Sequence, residues 1–277
     1  MKISGIEKEK SIVSVLLIMV VFFICPTVKA EELDYSSQVK KIDLFIKSQM
    51  DKTMPPAQGL SVALVDENGM FWSKGYGYAD VKRKVKADAK TLYRVGSVTK
   101  PVTATAIMML VEKGKINLDD PITKYIPQFK INNQFEQPIT VRHLLSHQAG
   151  LLRHIYINFD YQLEAKNPPS YEMVLDYLKK KKLLFCPGEK YKYSNVGYAL
   201  LGKIIENVSG ISYKEFIKQE IFTPLEMDNS YIGLNQENSK LLAKGYESIL
   251  NDRAKENKAI RDKSAGSIIS TVEDLSK

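Results

Sequence analysis

At 277 residues, 44% hydrophobic and 26% charged, the chain has the make-up of an ordinary globular protein, one large domain or two lobes sharing a core. Its formal charge of +8 suits anionic surroundings such as cell wall or membrane headgroups. The charge would also suit nucleic acid, but no zinc-finger spacing, RNP-like aromatic strand or basic zipper region supports it, and no nucleic-acid partner is expected. The basic runs Lys82-Arg83-Lys84 and Lys179-Lys180-Lys181-Lys182 read as a solvated turn and a helix face.

The N-terminus reads as a targeting segment. Lys8 and Lys10 precede an uncharged stretch from Ser11 to Val28, and Val28-Lys29-Ala30 offers small or apolar residues at the two positions a signal peptidase reads. Residues 1–30 are therefore expected to be a signal peptide cut after Ala30, which puts the domain 31–277 outside the cytoplasm. The alternative is an uncleaved membrane anchor, because the uncharged span approaches the ~18 residues that begin to suggest a transmembrane helix. Ile24, where a lipoprotein signal wants a small residue, argues against lipidation of Cys25. Cleavage leaves Cys186 alone, so no internal disulfide is expected and that thiol reads as a small structural residue.

From Leu33 to Lys52, Val39, Ile42, Phe45, Ile46 and Met50 recur at helical spacing beside charged residues, which predicts an amphipathic helix. Two apolar strands follow, Leu60–Val65 and Met70–Tyr76, joined by Asp66-Glu67-Asn68-Gly69; Asn-Gly supplies the positive φ of a tight hairpin. The first strand is apolar on both faces and is expected to be covered on both. Helices are then predicted over Val102–Glu112, from Thr140 to near Gly150, over Ser170–Lys182, over Gly197–Val208 closed by Gly210, and over Ser212–Phe222. The last opens on Ser212-Tyr213-Lys214-Glu215, a capping box. Ser270-Thr271-Val272-Glu273-Asp274 starts another helix close to the last residue, and no strand that would complete the hairpin sheet is read in between.

Ser97-Val98-Thr99-Lys100 carries the chemistry. A serine hydroxyl needs a base within hydrogen-bond reach to become a nucleophile, and a separation of three residues puts Ser97 and Lys100 on one helical face. A helix N-terminus beside Ser97 would stabilise an oxyanion, and the same field with burial would favour the neutral, basic lysine. Chance also produces this spacing, as in Ser37-Gln38-Val39-Lys40 on an ordinary amphipathic helix; Ser97 differs in following Gly96 at the junction into an apolar helix. Tyr193-Ser194-Asn195 supplies a phenol able to shuttle a proton and an amide able to hold Lys100 and a substrate carbonyl. Tyr156-Ile157-Asn158 is its decoy. His143 and His147, four apart, suggest zinc, but Leu144 stands where a zincin needs glutamate and no third ligand is evident, so a structural role is expected.

The runs Tyr93–Lys100, Leu118-Asp119-Asp120-Pro121, His143–Leu151, Pro187–Tyr198 and Ser264–Thr271 resemble, in order, successive blocks of the beta-lactamase and penicillin-binding family, in the branch of class C beta-lactamases and D-alanyl-D-alanine carboxypeptidases. The resemblance covers Glu31 to the end. It implies an α/β fold, a beta-lactamase-like antiparallel sheet flanked by helices plus a mostly helical lobe, with the sheet incomplete. It further implies Ser97 as acylated nucleophile, Lys100 as base, Tyr193 as proton shuttle and Asn195 as substrate-orienting amide, with no metal or organic cofactor and a small-molecule or peptidoglycan-peptide substrate. The family's third element, Lys-Thr-Gly or His-x-Gly on a central strand, has no counterpart in these 277 residues, so a C-terminally truncated member is expected, in which catalysis by the chain alone is a separate question from membership.

Overall fold

A computed structural model describes residues 34–50, 52, 57–154, 171–248, 251–255 and 263–277. The proposed signal segment and the decoy Tyr156–Asn158 lie outside these residues. The chain divides into a unit of residues 1–44 and one of residues 45–277. The first predicted helix, α1 (Ser36–Met50), forms where the 3.6-residue spacing placed it and runs through the division.

The larger unit begins with the hairpin β1 (Gly59–Asp66) and β2 (Gly69–Asp80), extended by β3 (Val85–Lys86) into a three-stranded antiparallel sheet. Its two-residue loop is Glu67-Asn68, with Asn68 N donating to the Asp66 side chain at 2.8 Å, and the left-handed conformation falls on Gly69 (φ 108). A bulge between Leu64 and Val65 adjusts the register. β1 departs from expectation: none of its residues is buried, and Val65 is 53% exposed. Among the described residues β2 is its strand partner, and the full burial inferred from its apolar composition is not reached. Later strands form that the sequence reading did not place, but among the described residues none of them joins the hairpin sheet. β4 (Tyr93–Arg94), β5 (Tyr231–Ile232) and β8 (Ile268–Ser270) form a second three-stranded sheet in the order β4-β8-β5, and β6 (Gly245–Ser248) pairs with β7 (Asn251–Lys255). Segments as short as β4, β5 and β8 carry too little period-two pattern to be read in advance.

The core belongs to the helices. α2 (Thr99–Glu112) buries Ala106, Ile107 and Leu110 against α5 (Asn195–Ser209), which buries Val196, Leu200, Leu201, Ile204 and Ile205 and closes at Gly210. Around this pair stand α3 (Val141–Leu145), α4 (Tyr171–Lys179) and α6 (Tyr213–Ile217). α6 starts on the expected capping box, Ser212 Oγ to the Glu215 amide and Glu215 back to the Ser212 amide, but passes into a π-helical turn over Lys218–Phe222. Three further short helices are α7 (Asn238–Leu241), α8 (Lys263–Gly266) and α9 (Val272–Leu275, capped by Thr271). Lys82–Lys84 is an exposed turn, as expected, and Lys180–Lys182 follow the end of α4. Cys186 is a half-buried free thiol. Among the described residues no helix is long and apolar enough to cross a membrane.

Candidate active site

β4 delivers the chain to Gly96, whose φ of 54 turns it sharply into a short 3-10 turn, Gly96–Val98, continuous with α2. Ser97 sits in that turn and is exposed, whereas Lys100, in the first turn of α2, is 5% exposed. Lys100 Nζ donates to Ser97 Oγ at 3.2 Å and to the Ala265 carbonyl at 2.6 Å. It also lies 4.8 Å from the centre of the Tyr193 ring and 5.5 Å from that of Tyr198. A buried ammonium is tolerated only when its donors are used and its charge is met, and the carbonyl, the hydroxyl and the two ring faces do this.

From the other side Tyr193 OH donates to Ser97 Oγ at 2.7 Å. Partial burial by itself would raise the phenol, but hydrogen bonding to Lys100 and Ser97 and the positive charges of Lys100 and Arg153 outweigh it, holding Tyr193 below the usual tyrosine range. The guanidinium of Arg153 is centred 5.5 Å from the same ring and is exposed. Ser97, Lys100 and Tyr193, separated by up to 96 positions, are therefore brought to one point.

Asn195 is placed differently from its anticipated bond to Lys100. Its Nδ2 pairs with His154 Nδ1 at 3.2 Å, and its Oδ1 is buried with no partner among the described residues. A buried acceptor left unpaired costs about 1–3 kcal/mol, so it is found where a ligand can satisfy it.

The loop that carries Tyr193 is laced to the segment after α3. Leu184 N donates to the Gly150 carbonyl at 2.9 Å, Gly188 N to that of Gln148 at 2.9 Å, Lys192 N to that of His147 at 2.8 Å and Asn195 N to that of Arg153 at 3.0 Å. Ser194 N donates to His147 Nδ1 at 3.1 Å, and Ser194 Oγ both bonds the Leu152 carbonyl and caps α5 through Gly197 N. The two histidines do not share a helix face as the zinc reading required. α3 ends at Leu145, and His147 lies beyond it with φ 59. His143 Nδ1 instead accepts from Thr140 N and completes the cap of α3.

On the opposite flank the segment 264–270 docks across α2. Ile268 N donates to Thr99 Oγ1, Thr103 Oγ1 to the Ser264 carbonyl, and Ser264 Oγ to the Tyr198 carbonyl. Gly202 of α5 permits this approach: a Cβ there would stand 2.3 Å from Ser264 Oγ. Spacing arguments missed four contributors: the Ala265 carbonyl, His147, Arg153 and His154. Neither a main-chain carbonyl nor a supporting ring has a spacing signature.

The arrangement lies where a small antiparallel sheet meets a helical lobe. A family model described as Beta-lactamase matches residues 46–277. Two Staphylococcus aureus proteins are similar: Protein flp, 36% identical over 209 residues, and teichoic acid D-alanine hydrolase, 31% identical over 207. Each alignment covers 75% of this chain, and 41% and 47% of the respective relative, so the chain spans less than half the length of these proteins. Among solved structures, the octameric penicillin-binding protein homologue from Pyrococcus abyssi matches with a TM-score of 0.69 and 34% identity, covering 86% of this chain and 55% of that one. The beta-lactamase/D-alanine carboxypeptidase from Yersinia pestis, complexed with citrate, matches with a TM-score of 0.68 and 25% identity, covering 84% and 67%. The chain belongs to the beta-lactamase family.

Proposed function

We propose that this protein is an exported serine acyl hydrolase that acts on D-alanyl-D-alanine peptides, beta-lactams or small esters, D-alanyl esters among them. The observation that carries the reading is the convergence of Tyr193 OH at 2.7 Å and Lys100 Nζ at 3.2 Å on the exposed Ser97 Oγ. The names of two relatives, a D-alanine hydrolase and a D-alanine carboxypeptidase, support the D-alanyl substrate class.

In this reading Ser97 Oγ attacks the substrate carbonyl carbon while its proton passes to the Tyr193 oxygen, whose ionised form Lys100 and Arg153 stabilise. The peptide, lactam or ester bond breaks, and the departing nitrogen or oxygen takes the proton from Tyr193. An acyl-Ser97 ester remains, and water attacks it through the same phenol. Asn195 orients the substrate amide, its unpaired Oδ1 being the end left for a ligand. Residues 1–30 direct export, with cleavage after Ala30.

The test is covalent labelling with a fluorescent penicillin or a fluorophosphonate, located by peptide mass spectrometry. Label is expected on Ser97 and absent from Ser97→Ala at unchanged thermal stability. A folded wild-type chain that takes up no label from either reagent is not the hydrolase proposed. A second reading, a non-catalytic remnant or wall-binding module, draws on the formal charge of +8, which suits an anionic wall. It requires cell-wall retention indifferent to Ser97→Ala.

A further inference from the structure

His147 is the residue of the site least explained by sequence. Its backbone is left-handed, φ 59, a conformation that costs a non-glycine residue free energy and persists where surrounding structure enforces it. The enforcing contacts all concern one loop. The His147 carbonyl accepts from Lys192 N at 2.8 Å and its Nδ1 accepts from Ser194 N at 3.1 Å, so the residues immediately before and after Tyr193 are both fastened to it. The ring itself packs on Tyr193, centroids 4.5 Å apart, on Tyr198 at 5.0 Å and edge-on to Tyr191 at 5.8 Å.

We propose that His147 is the positioning residue for Tyr193: its main-chain carbonyl and its neutral imidazole hold the loop at two points, so that the phenol meets Ser97 Oγ only while Nδ1 is unprotonated. The inference rests on the hydrolase reading for its consequence in turnover, but the placement of Tyr193 is measurable without turnover.

The chemistry requires the neutral form twice over. An Nδ1 that accepts the Ser194 amide proton cannot carry a proton of its own, so the hydrogen sits on Nε2. The groups that face the ring are Lys100 from α2, Tyr198 from α5, and Tyr191 and Tyr193 from the loop between them, with Arg153 stacked on the same tyrosine. Lys100 and Arg153 carry charge, and the Lys100 ammonium is the one whose field acts on the imidazole. Burial first, then that ammonium, hold His147 below the usual imidazole range. Protonation would end the Ser194 bond and set a second cation beside Lys100, releasing the loop from one of its two anchors.

Two substitutions separate geometry from mere bulk. His147→Asn keeps an acceptor where Nδ1 stands and tolerates a left-handed backbone, but cannot titrate. His147→Gly relieves the backbone while deleting ring and acceptor. Tyr193 ionisation is followed by NMR of tyrosine labelled with carbon-13 at the phenol carbon, with Tyr193→Phe assigning the signal, and acylation by fluorescent penicillin is timed across pH. In His147→Gly the Tyr193 titration is expected to move up toward ordinary tyrosine and acylation to fall about 10²-fold, the usual cost of a group misplaced by an ångström. His147→Asn is expected to restore both and to lose the acid limb of the wild-type profile that His147 sets. An unchanged Tyr193 titration in folded His147→Gly overturns the proposal, as does a folded His147→Asn that restores neither quantity. Should His147→Gly not fold, nitrogen-15 NMR of wild-type histidine decides: a hydrogen on Nδ1 at neutral pH overturns it, and a bare Nδ1 upholds it. A wild-type chain that takes no label defeats the hydrolase reading alone, and the tyrosine titration still judges His147.

Discussion

Lys100 is the most demanding side chain of the site, because a cation 5% exposed has surrendered most of its hydration, a loss of several kcal/mol in a protein interior. The Ala265 carbonyl at 2.6 Å, Ser97 Oγ at 3.2 Å and two tyrosine rings offset that loss without a carboxylate among its hydrogen-bond partners. Lys100→Met retains the volume and removes the charge. Acylation of Ser97 is expected to fall by about 10²–10⁴, the range of impaired general-base catalysis, because Tyr193 loses the charge that supports its ionised form. Tyr193 should titrate higher, because Lys100 supplies both a hydrogen bond and a charge that lower it. Stopped-flow labelling and tyrosine NMR on the same variant measure the two effects, and undiminished labelling would remove Lys100 from the mechanism.

At the scale of elements, the site depends on how closely the 264–270 segment can lie against α2 and α5. A Cβ on Gly202 would stand 2.3 Å from Ser264 Oγ and 2.7 Å from Ser264 Cβ, so Gly202→Ala has to push that segment outward. The Ala265 carbonyl would move with it, away from Lys100. A loss of about 1–3 kcal/mol is expected from such overpacking, together with a drop in acylation. Ser212→Ala makes the matching control. It removes a capping box remote from Ser97, at a cost of about 1 kcal/mol, and leaves labelling intact. Urea denaturation and labelling of the pair separate the two: equal losses of activity at equal losses of stability would mean that the 264–270 segment does no more than hold the fold.

For the whole molecule, the charge pattern predicts how stability follows pH. Burial holds His143 and His147 below the ordinary imidazole value, so the unfolded chain takes up protons first as pH falls. Stability is therefore fully present above about pH 6.5 and declines as pH drops toward the depressed folded values. Asp119, Asp120, Asp176, Glu189 and Glu215 are held below the usual carboxylate range by hydrogen bonds with Arg142, Lys124, Lys179, Lys190 and Ser212 respectively. Being exposed, they add a shallower loss at lower pH. Thermal melts are expected to show the first decline near pH 6 and a smaller slope there in His147→Asn; a flat profile down to pH 5 would contradict both histidine assignments.

How much could be read in advance divides along a physical line. The amphipathic period announced α1, an apolar run announced α2, Gly210 marked the end of α5, and Ser212-x-x-Glu215 announced the start of α6, because these signals are encoded within one or two helical turns. Asn68-Gly69 marked the hairpin, with the left-handed conformation on Gly69, but the burial expected of β1 was not reached. Ser97 and Lys100 were legible as a pair because a helix turn sets their separation, and Tyr193-Ser194-Asn195 because its neighbours form a family block. The second sheet was not legible: β4 lies more than a hundred residues before β5 and β8, and none of the three exceeds three residues. Nor were the partners of the site, the Ala265 carbonyl 165 positions from Lys100 and the His147 ring 47 from Ser194. Short-range geometry is a property of the covalent chain, so residues three or four apart declare their relation in the sequence. Which distant carbonyl meets a buried ammonium, and which ring fastens a loop, follows from how closely two segments can pack, and that distance exists only once the chain has folded.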